Sequence, residues 1–156
     1  MRLCTFESML GSITIGEEEG FITHLGLPGN NSPSNQIWYE SEVLAEAGYQ
    51  LWQYLTGERR EFDLPLAPQG TDFQMQVWEA LQQIPYGETC SYKDIAHKIG
   101  RPRAYRAVGQ ANHHNPIPIF IPCHRVIGNS NGLTGYGGGL DLKVKLLDLE
   151  KSYLLK

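Results

Sequence analysis

Cysteine is scarce in this chain, with only Cys4, Cys90 and Cys123 among 156 residues. An odd number with no C-x-x-C pair argues against a disulfide framework and a cysteine-built zinc site; neither a metal nor a cofactor is expected. No apolar run reaches signal-peptide or membrane-spanning length, so a soluble protein of a reducing, cytoplasmic compartment is the expectation. Positive charge is also short: 13 Lys and Arg stand against 17 Asp and Glu, a net of −4. That deficit is local. Residues 1–70 hold ten acids and three bases, whereas residues 71–156 hold seven acids and ten bases. Six of those bases (Lys93, Lys98, Arg101, Arg103, Arg106 and Arg125) fall in one 33-residue stretch whose only acid is Asp94. Salt screens charge beyond about 10 Å, so a polyanion responds to such a local face rather than to the net charge. An ordinary solvated surface would look the same in sequence.

The length suits one domain or two small ones. Residues 3–27 alternate apolar and polar, with Ile13, Ile15, Phe21, Leu25 and Leu27 on one face, which predicts a small antiparallel meander. Glu17-Glu18-Glu19-Gly20 reads as a solvated turn and residues 28–36 as a polar loop. Leu44, Ala47, Leu51 and Leu55 recur at helical spacing, with Gly57 as the stop. No chemistry is visible in this half, and His24 reads as structural or surface. Pro65 and Pro68 mark a linker over 65–70, between a domain at 1–64 and a second at 71–156.

In the second half, Thr71-Asp72 caps a helix through Phe73, Val77, Leu81 and Ile84, which Pro85-Tyr86-Gly87 stops. Ser91 and Asp94 form a capping box for a short helix whose inner face is Tyr92, Ile95, Ala96 and Ile99. Gly100 closes it, and Pro102 suits the first position of a further helix running to about His113. Two short helices around a glycine turn, the second carrying bases, read as a helix-turn-helix. After a polar turn at 128–134 come Tyr136-Gly137-Gly138-Gly139 and a helix from Leu140 to about Leu149. Three consecutive glycines suit either a plain connector or close approach of backbone to a flat ligand.

Between these helices sits Pro122-Cys123-His124-Arg125, preceded by Asn115-Pro116 and the apolar run Ile117–Ile121. A proline on each side keeps that run from being helix, so an extended segment is expected to deliver Cys123 on a turn facing a pocket. A thiol is a soft, strong nucleophile, but at an ordinary pKa it is mostly protonated at neutral pH and needs a base. His124 is adjacent, although neighbours in extended chain point to opposite faces; relay through a water fits better than direct contact. On its own a Cys-His pair is more often structural.

The motif extends to Pro122-Cys123-His124-Arg125-Val126. Together with Arg106-Ala107-Val108-Gly109, Asn115-Pro116 and Tyr136 to Gly139, in this order, it resembles the active-site region of the O6-alkylguanine-DNA alkyltransferases across roughly the last half of the chain. The resemblance implies an α/β fold. Its parts would be an N-terminal ribonuclease-H-like sheet-and-helix domain and a mainly helical, winged helix-turn-helix-like C-terminal domain. It implies a suicide transfer of the alkyl group from O6-alkylguanine in DNA to Cys123, and leaves open whether O4-alkylthymine is also repaired. By the same resemblance Glu150 orients His124, and Tyr92 hydrogen-bonds the base and supplies a proton. Carbonyls of Cys123 and Val126 accept from the base's exocyclic amine, and the Tyr136-Gly137-Gly138 edge donates toward O6. Gly137 stands where some members carry serine, so a hydroxyl is missing there while the backbone donor remains. Double-stranded DNA would be held at its minor groove by a monomer, with the damaged base flipped out. Arg106 is the intercalating residue, and Ser91, Arg103, Ala104, Ala107, Gly109 and Arg125 complete the DNA face. Asn115 braces the turn. The zinc site of some eukaryotic members is absent, since only Cys4 lies in the first half.

Other classes explain less. A helix-turn-helix regulator accounts for the bases but not for the cysteine turn or the glycines. A cysteine hydrolase accounts for Cys123 and His124 but not for the arginine-bearing helix. A lesion sensor without activity would lack the cysteine.

Overall fold

The computed structural model describes residues 1–29, 41–128 and 140–155. It divides into two compact units, Met1–Gln69 and Gly70–Lys156, and combines a small antiparallel sheet with helices in an α/β fold.

In the first unit, β1 (Arg2–Ser8), β2 (Gly11–Glu18) and β3 (Phe21–Gly26) form the meander expected from the alternation, in the order β1-β2-β3. The helix α1 (Glu42–Leu55) is capped by Ser41, whose hydroxyl accepts from the Leu44 N–H. It buries Leu44, Ala47, Leu51, Tyr54 and Leu55, and the sheet buries Ile13, Ile15, Ile22, Leu25 and Leu27. Close approach of helix to sheet depends on Gly48, where a Cβ would lie 2.3 Å from Phe6 Cε1. One expectation fails here. Glu17 is no part of a solvated turn. A register shift at Gly16/Glu17 turns it inward, where it is buried and accepts from the Ser41 hydroxyl and the Gly20 N–H. Within the expected linker, Ile22 N–H donates to Pro65 O and Ala67 N–H to Ile22 O, and the two units divide at Gln69/Gly70.

In the second unit, α2 (Asp72–Leu81) starts at a Thr71/Gln74 capping box, and Trp78 Nε1–H donates to Ala111 O at 2.8 Å. The Ser91/Asp94 capping box opens α3 (Tyr92–Lys98) as expected. Its end is a Schellman motif. Gly100 sits at φ +78°, its N–H donating to His97 O, while Arg101 N–H donates to Ala96 O. The following helix α4 spans Tyr105–His113 and so starts three residues after Pro102, which lies in a turn. No side chain caps it; Ala104 N–H instead closes that turn onto Arg101 O. The strand β4 (Cys90–Ser91) pairs in parallel with β5 (Val126–Ile127), and α5 runs Leu140–Leu154, a turn longer than its pattern suggested.

Candidate active site

The run Ile117–Ile121 is not extended. Ile121 N–H donates to Ile117 O at 2.9 Å, and Ile119 takes a left-handed φ of +73°, so the segment curls into a buried turn. Asn115 holds it: its Oδ1 accepts from Ile117 N–H at 3.0 Å and its Nδ2 donates to Ile121 O at 2.9 Å. The chain then enters a single 3-10 turn, Cys123–Arg125, with Cys123 N–H on Ile121 O at 2.7 Å. This tight geometry places three consecutive side chains in the interior. Cys123 is 4 % exposed, His124 0 % and Arg125 6 %.

Glu150 on α5 gathers two of them. Its Oε2 accepts from His124 Nε2–H at 2.6 Å; Arg125 donates Nε–H to Oε1 and Nη2–H to Oε2, each at 2.9 Å. Gly87 N–H donates to Oε1 at 3.0 Å. Burial would raise this carboxyl's pKa, but the hydrogen bonds and charge around it prevail and bring it down to about 2. Burial pushes His124 down, a fall that Glu150 only offsets. The imidazole is therefore neutral, its proton sits on Nε2, and Nδ1 keeps its lone pair. The carboxylate's ionic partner is Arg125.

Arg125 therefore leaves the basic surface to which the sequence assigned it. Its guanidinium also donates Nη1–H to Ile84 O at 2.7 Å and lies 5.6 Å from the Tyr86 ring centroid. A side chain so enclosed cannot reach a phosphate. The remaining bases of that stretch, Lys93, Lys98, Arg101, Arg103 and Arg106, are exposed or partly so.

Two residues escaped the sequence reading. Lys143 is 0 % exposed, and its Nζ donates to Val126 O at 2.7 Å. It lies seven residues before Glu150 and three before the buried Leu146, which is one face of α5; that spacing was the available signal. Asn112, 2 % exposed, shares the inner face of α4 with Val108 and Ala111, and its Nδ2 donates to Cys123 O at 3.4 Å. Cys123 O also accepts the Val126 N–H, so both its lone pairs are engaged, and Val126 O accepts from Lys143.

Burial pushes the Cys123 thiol up to about 11, against the pull of the Asn115 side chain, the Lys143 charge and the turn's N–H groups. Burial likewise lowers Lys143, while the thiol's charge raises it. Around the thiol the charges of Arg125 and Glu150 cancel and His124 is neutral. Lys143 is the buried charge left over, and a thiolate at Cys123 is its natural counter-ion.

Tyr92 opens α3 half-buried, its hydroxyl pushed up by burial and then by its proximity to Cys123. Its ring faces Gly109, where a Cβ would lie 4.0 Å from Cδ1 and Cε1. Arg103, Arg106 and Ala107 are exposed on and before α4, with Ala104, Gly109 and Ser91 half-buried. Tyr136, Gly137 and Gly138 lie outside the described residues.

Set beside known proteins, residues 72–152 match the model of the 6-O-methylguanine DNA methyltransferase DNA binding domain, and residues 1–68 match that family's ribonuclease-like domain. The chain belongs to the 6-O-methylguanine DNA methyltransferase family. A constitutive methylated-DNA--protein-cysteine methyltransferase of Bacillus subtilis is 49 % identical over 154 residues, covering 94 % of this chain and 93 % of the relative. A methylated-DNA--protein-cysteine methyltransferase of Methanosarcina barkeri is 52 % identical over 153 residues, covering 95 % and 96 %. The crystal structure of Mycobacterium tuberculosis OGT in complex with DNA superposes with a TM-score of 0.89 at 48 % identity, covering 98 % of this chain and 94 % of that one. Membership accounts for both units at once, including a first unit in which no chemistry could be read. Among the described residues no cluster of His, Cys, Asp and Glu could hold a metal, and no helix is long and apolar enough to cross a membrane.

Proposed function

We propose that this protein repairs DNA by moving the alkyl group of O6-alkylguanine onto Cys123, once per molecule. The observation that carries the reading is the buried Glu150–His124 pair at 2.6 Å on the turn that presents Cys123. Glu150 holds the imidazole as the Nε2–H tautomer. That leaves Nδ1 as the base, taking the thiol proton through a water. The thiolate, balanced by Lys143, attacks the alkyl carbon as the carbon–O6 bond breaks, and the electron pair leaves with the guanine. A proton from the Tyr92 hydroxyl neutralises the departing base. The thioether formed is not cleaved by a histidine-activated water, so the protein is spent.

A base in a duplex must leave the stack to meet a buried thiol. The exposed face of α4 suits that step, since Arg106 would fill the gap and the small Ala104, Ala107 and Gly109 permit close approach at the minor groove. Arg103 and the N-terminus of α3 at Ser91 would hold phosphates. Val126 O and the Tyr136-Gly137-Gly138 segment would contact the base, and the protein would act as a monomer. The reading is tested by incubation with excess O6-methylguanine duplex followed by peptide mass spectrometry. One methyl per protein, on the Cys123 peptide, is expected. Turnover beyond one, or methyl on Cys4 or Cys90, overturns the mechanism; protection of a preferred undamaged sequence would favour the regulator instead.

A further inference from the structure

The outer surface of α4 is built from small, polar or charged side chains, with one exception. Tyr105 opens the helix and is 37 % exposed; among the described residues it is the one exposed aromatic of the second unit. A single exposed ring is ordinary on any surface, so its surroundings decide what it means. Lys93 of α3 stands over it, with Nζ 5.3 Å from the ring centroid, inside the reach of a cation–π contact. No acid claims that ammonium. The Asp94 carboxylate next to it accepts from Ser91 N–H, and among the described residues Lys93 enters no salt bridge. The ring therefore positions a charge that is free to meet an anion.

Gly109 follows Tyr105 by four residues and so lies one turn on along the same side of α4. The Tyr92 ring faces Gly109, and Lys93 follows Tyr92 in the chain. Tyr105 and Lys93 thus stand beside Tyr92, and both are more exposed than it. A base that reaches Tyr92 stays joined through sugar and phosphate to the next nucleotide of its own strand. That nucleotide must pass the exposed side chains next to Tyr92. We propose that Tyr105 packs its ring on the nucleotide flanking the lesion in the damaged strand, while Lys93 pairs with that nucleotide's phosphate. This rests on the alkyl-transfer reading above.

Each half of the pair suits its half of a nucleotide. An aromatic ring stacks on any base, because every base has a π face, and repair in arbitrary surroundings needs that tolerance. An ammonium serves a phosphate as a point charge. The contact also differs from that of Arg106. Consecutive residues of a helix diverge by about 100°, so Tyr105 and Arg106 address different parts of the DNA. Arg106 enters the gap left by flipping, which exists in a duplex alone. Tyr105 holds the damaged strand itself, and so acts on a single strand too.

Single-turnover rates would be compared for the parent, Tyr105→Ala and Tyr105→Phe on an O6-methylguanine duplex, on the same lesion in a single strand, and on free O6-benzylguanine. Tyr105→Ala should lower the ratio of either oligonucleotide rate to the free-base rate by about tenfold, and Tyr105→Phe, which keeps the ring, should retain most of it. Lys93→Met should reduce the salt slope of single-strand binding by about one. With the parent, an abasic residue on one side of the lesion should slow single-strand repair by a similar factor, and Tyr105→Ala should be insensitive to it. An unchanged ratio in Tyr105→Ala, a loss confined to the duplex, an unchanged slope in Lys93→Met, or a parent indifferent to abasic neighbours on both sides overturns the proposal. The abasic comparison needs no variant, so it decides even where one fails to fold. No transfer to any of the three substrates would instead sink the alkyl-transfer reading.

Discussion

Glu150→Gln should cost this protein much of its stability as well as its activity. The carboxylate accepts from His124, from two nitrogens of Arg125 and from Gly87 N–H, at 2.6 to 3.0 Å. Glutamine keeps one acceptor oxygen and turns an NH2 toward donors, so at least one of those bonds becomes a clash between donors. It also strands the Arg125 guanidinium, 6 % exposed, without its counter-charge. The carboxyl's fall from 4.5 to about 2, at about 1.4 kcal/mol per pKa unit, corresponds to roughly 3 kcal/mol. Breaking one partner of a buried ion pair costs about 3–5 kcal/mol. For a unit of this size the melting point should drop by roughly 12 °C or more. Urea and thermal unfolding followed by circular dichroism would measure it. The acid side gives a signed check. A depressed carboxyl stabilises the fold fully above its unfolded pKa and loses that contribution as pH falls through the folded one. Parent and variant curves should therefore converge between about pH 4.5 and about pH 2. The double variant Arg125→Met/Glu150→Gln should regain part of the loss. A Glu150→Gln protein within about 1 kcal/mol of the parent, or a double variant no better than the single one, would refute the stranded-charge reasoning.

Three further outcomes are expected. Lys143→Met should slow reaction with free O6-benzylguanine at neutral pH by at least about tenfold and displace the pH–rate profile upward, because the charge that draws the thiol down is gone. Its stability should hold or rise, since a buried cation is removed; Lys143→Arg should restore part of the rate, and an unmoved profile refutes the role. Arg106→Ala should slow repair in a duplex far more than reaction with the free base, as only the duplex requires flipping; equal losses would remove the intercalating role. Binding to undamaged DNA should weaken steeply with salt, with little sequence preference, and a salt-insensitive affinity would contradict the exposed bases of α3 and α4 as its source.

Local order in the chain was legible because short-range physics dictates it. The alternation of residues 3–27 marked the meander, the Ser91/Asp94 capping box marked the start of α3, and Gly100 marked its end at a positive φ. The Cys123 turn could be picked out too, because a C-H-R run directly after a proline-bounded apolar segment has few local readings and its flanks resemble one family. What could not be read was burial, which depends on contacts distant in the chain. Arg125 looks like its basic neighbours until Glu150, 25 residues on, and Ile84 O, 41 residues back, enclose it. Glu17 looks like the start of an acidic turn until a shift in strand register carries it inward.

Lys143 and Asn112 show the same division most clearly. Each sits on a helix whose period was visible, so the face each occupies could have been counted. Their meaning could not, since a lysine or an asparagine on a helix is ordinarily solvated. Only the tertiary structure brings Lys143 Nζ to Val126 O and Asn112 to the Cys123 turn. The sequence by itself determined which atoms could react: a thiol, an imidazole and a carboxylate within 28 residues. Folding decided their protonation and their surroundings, because desolvation and charge in a closed interior are set by everything that packs there.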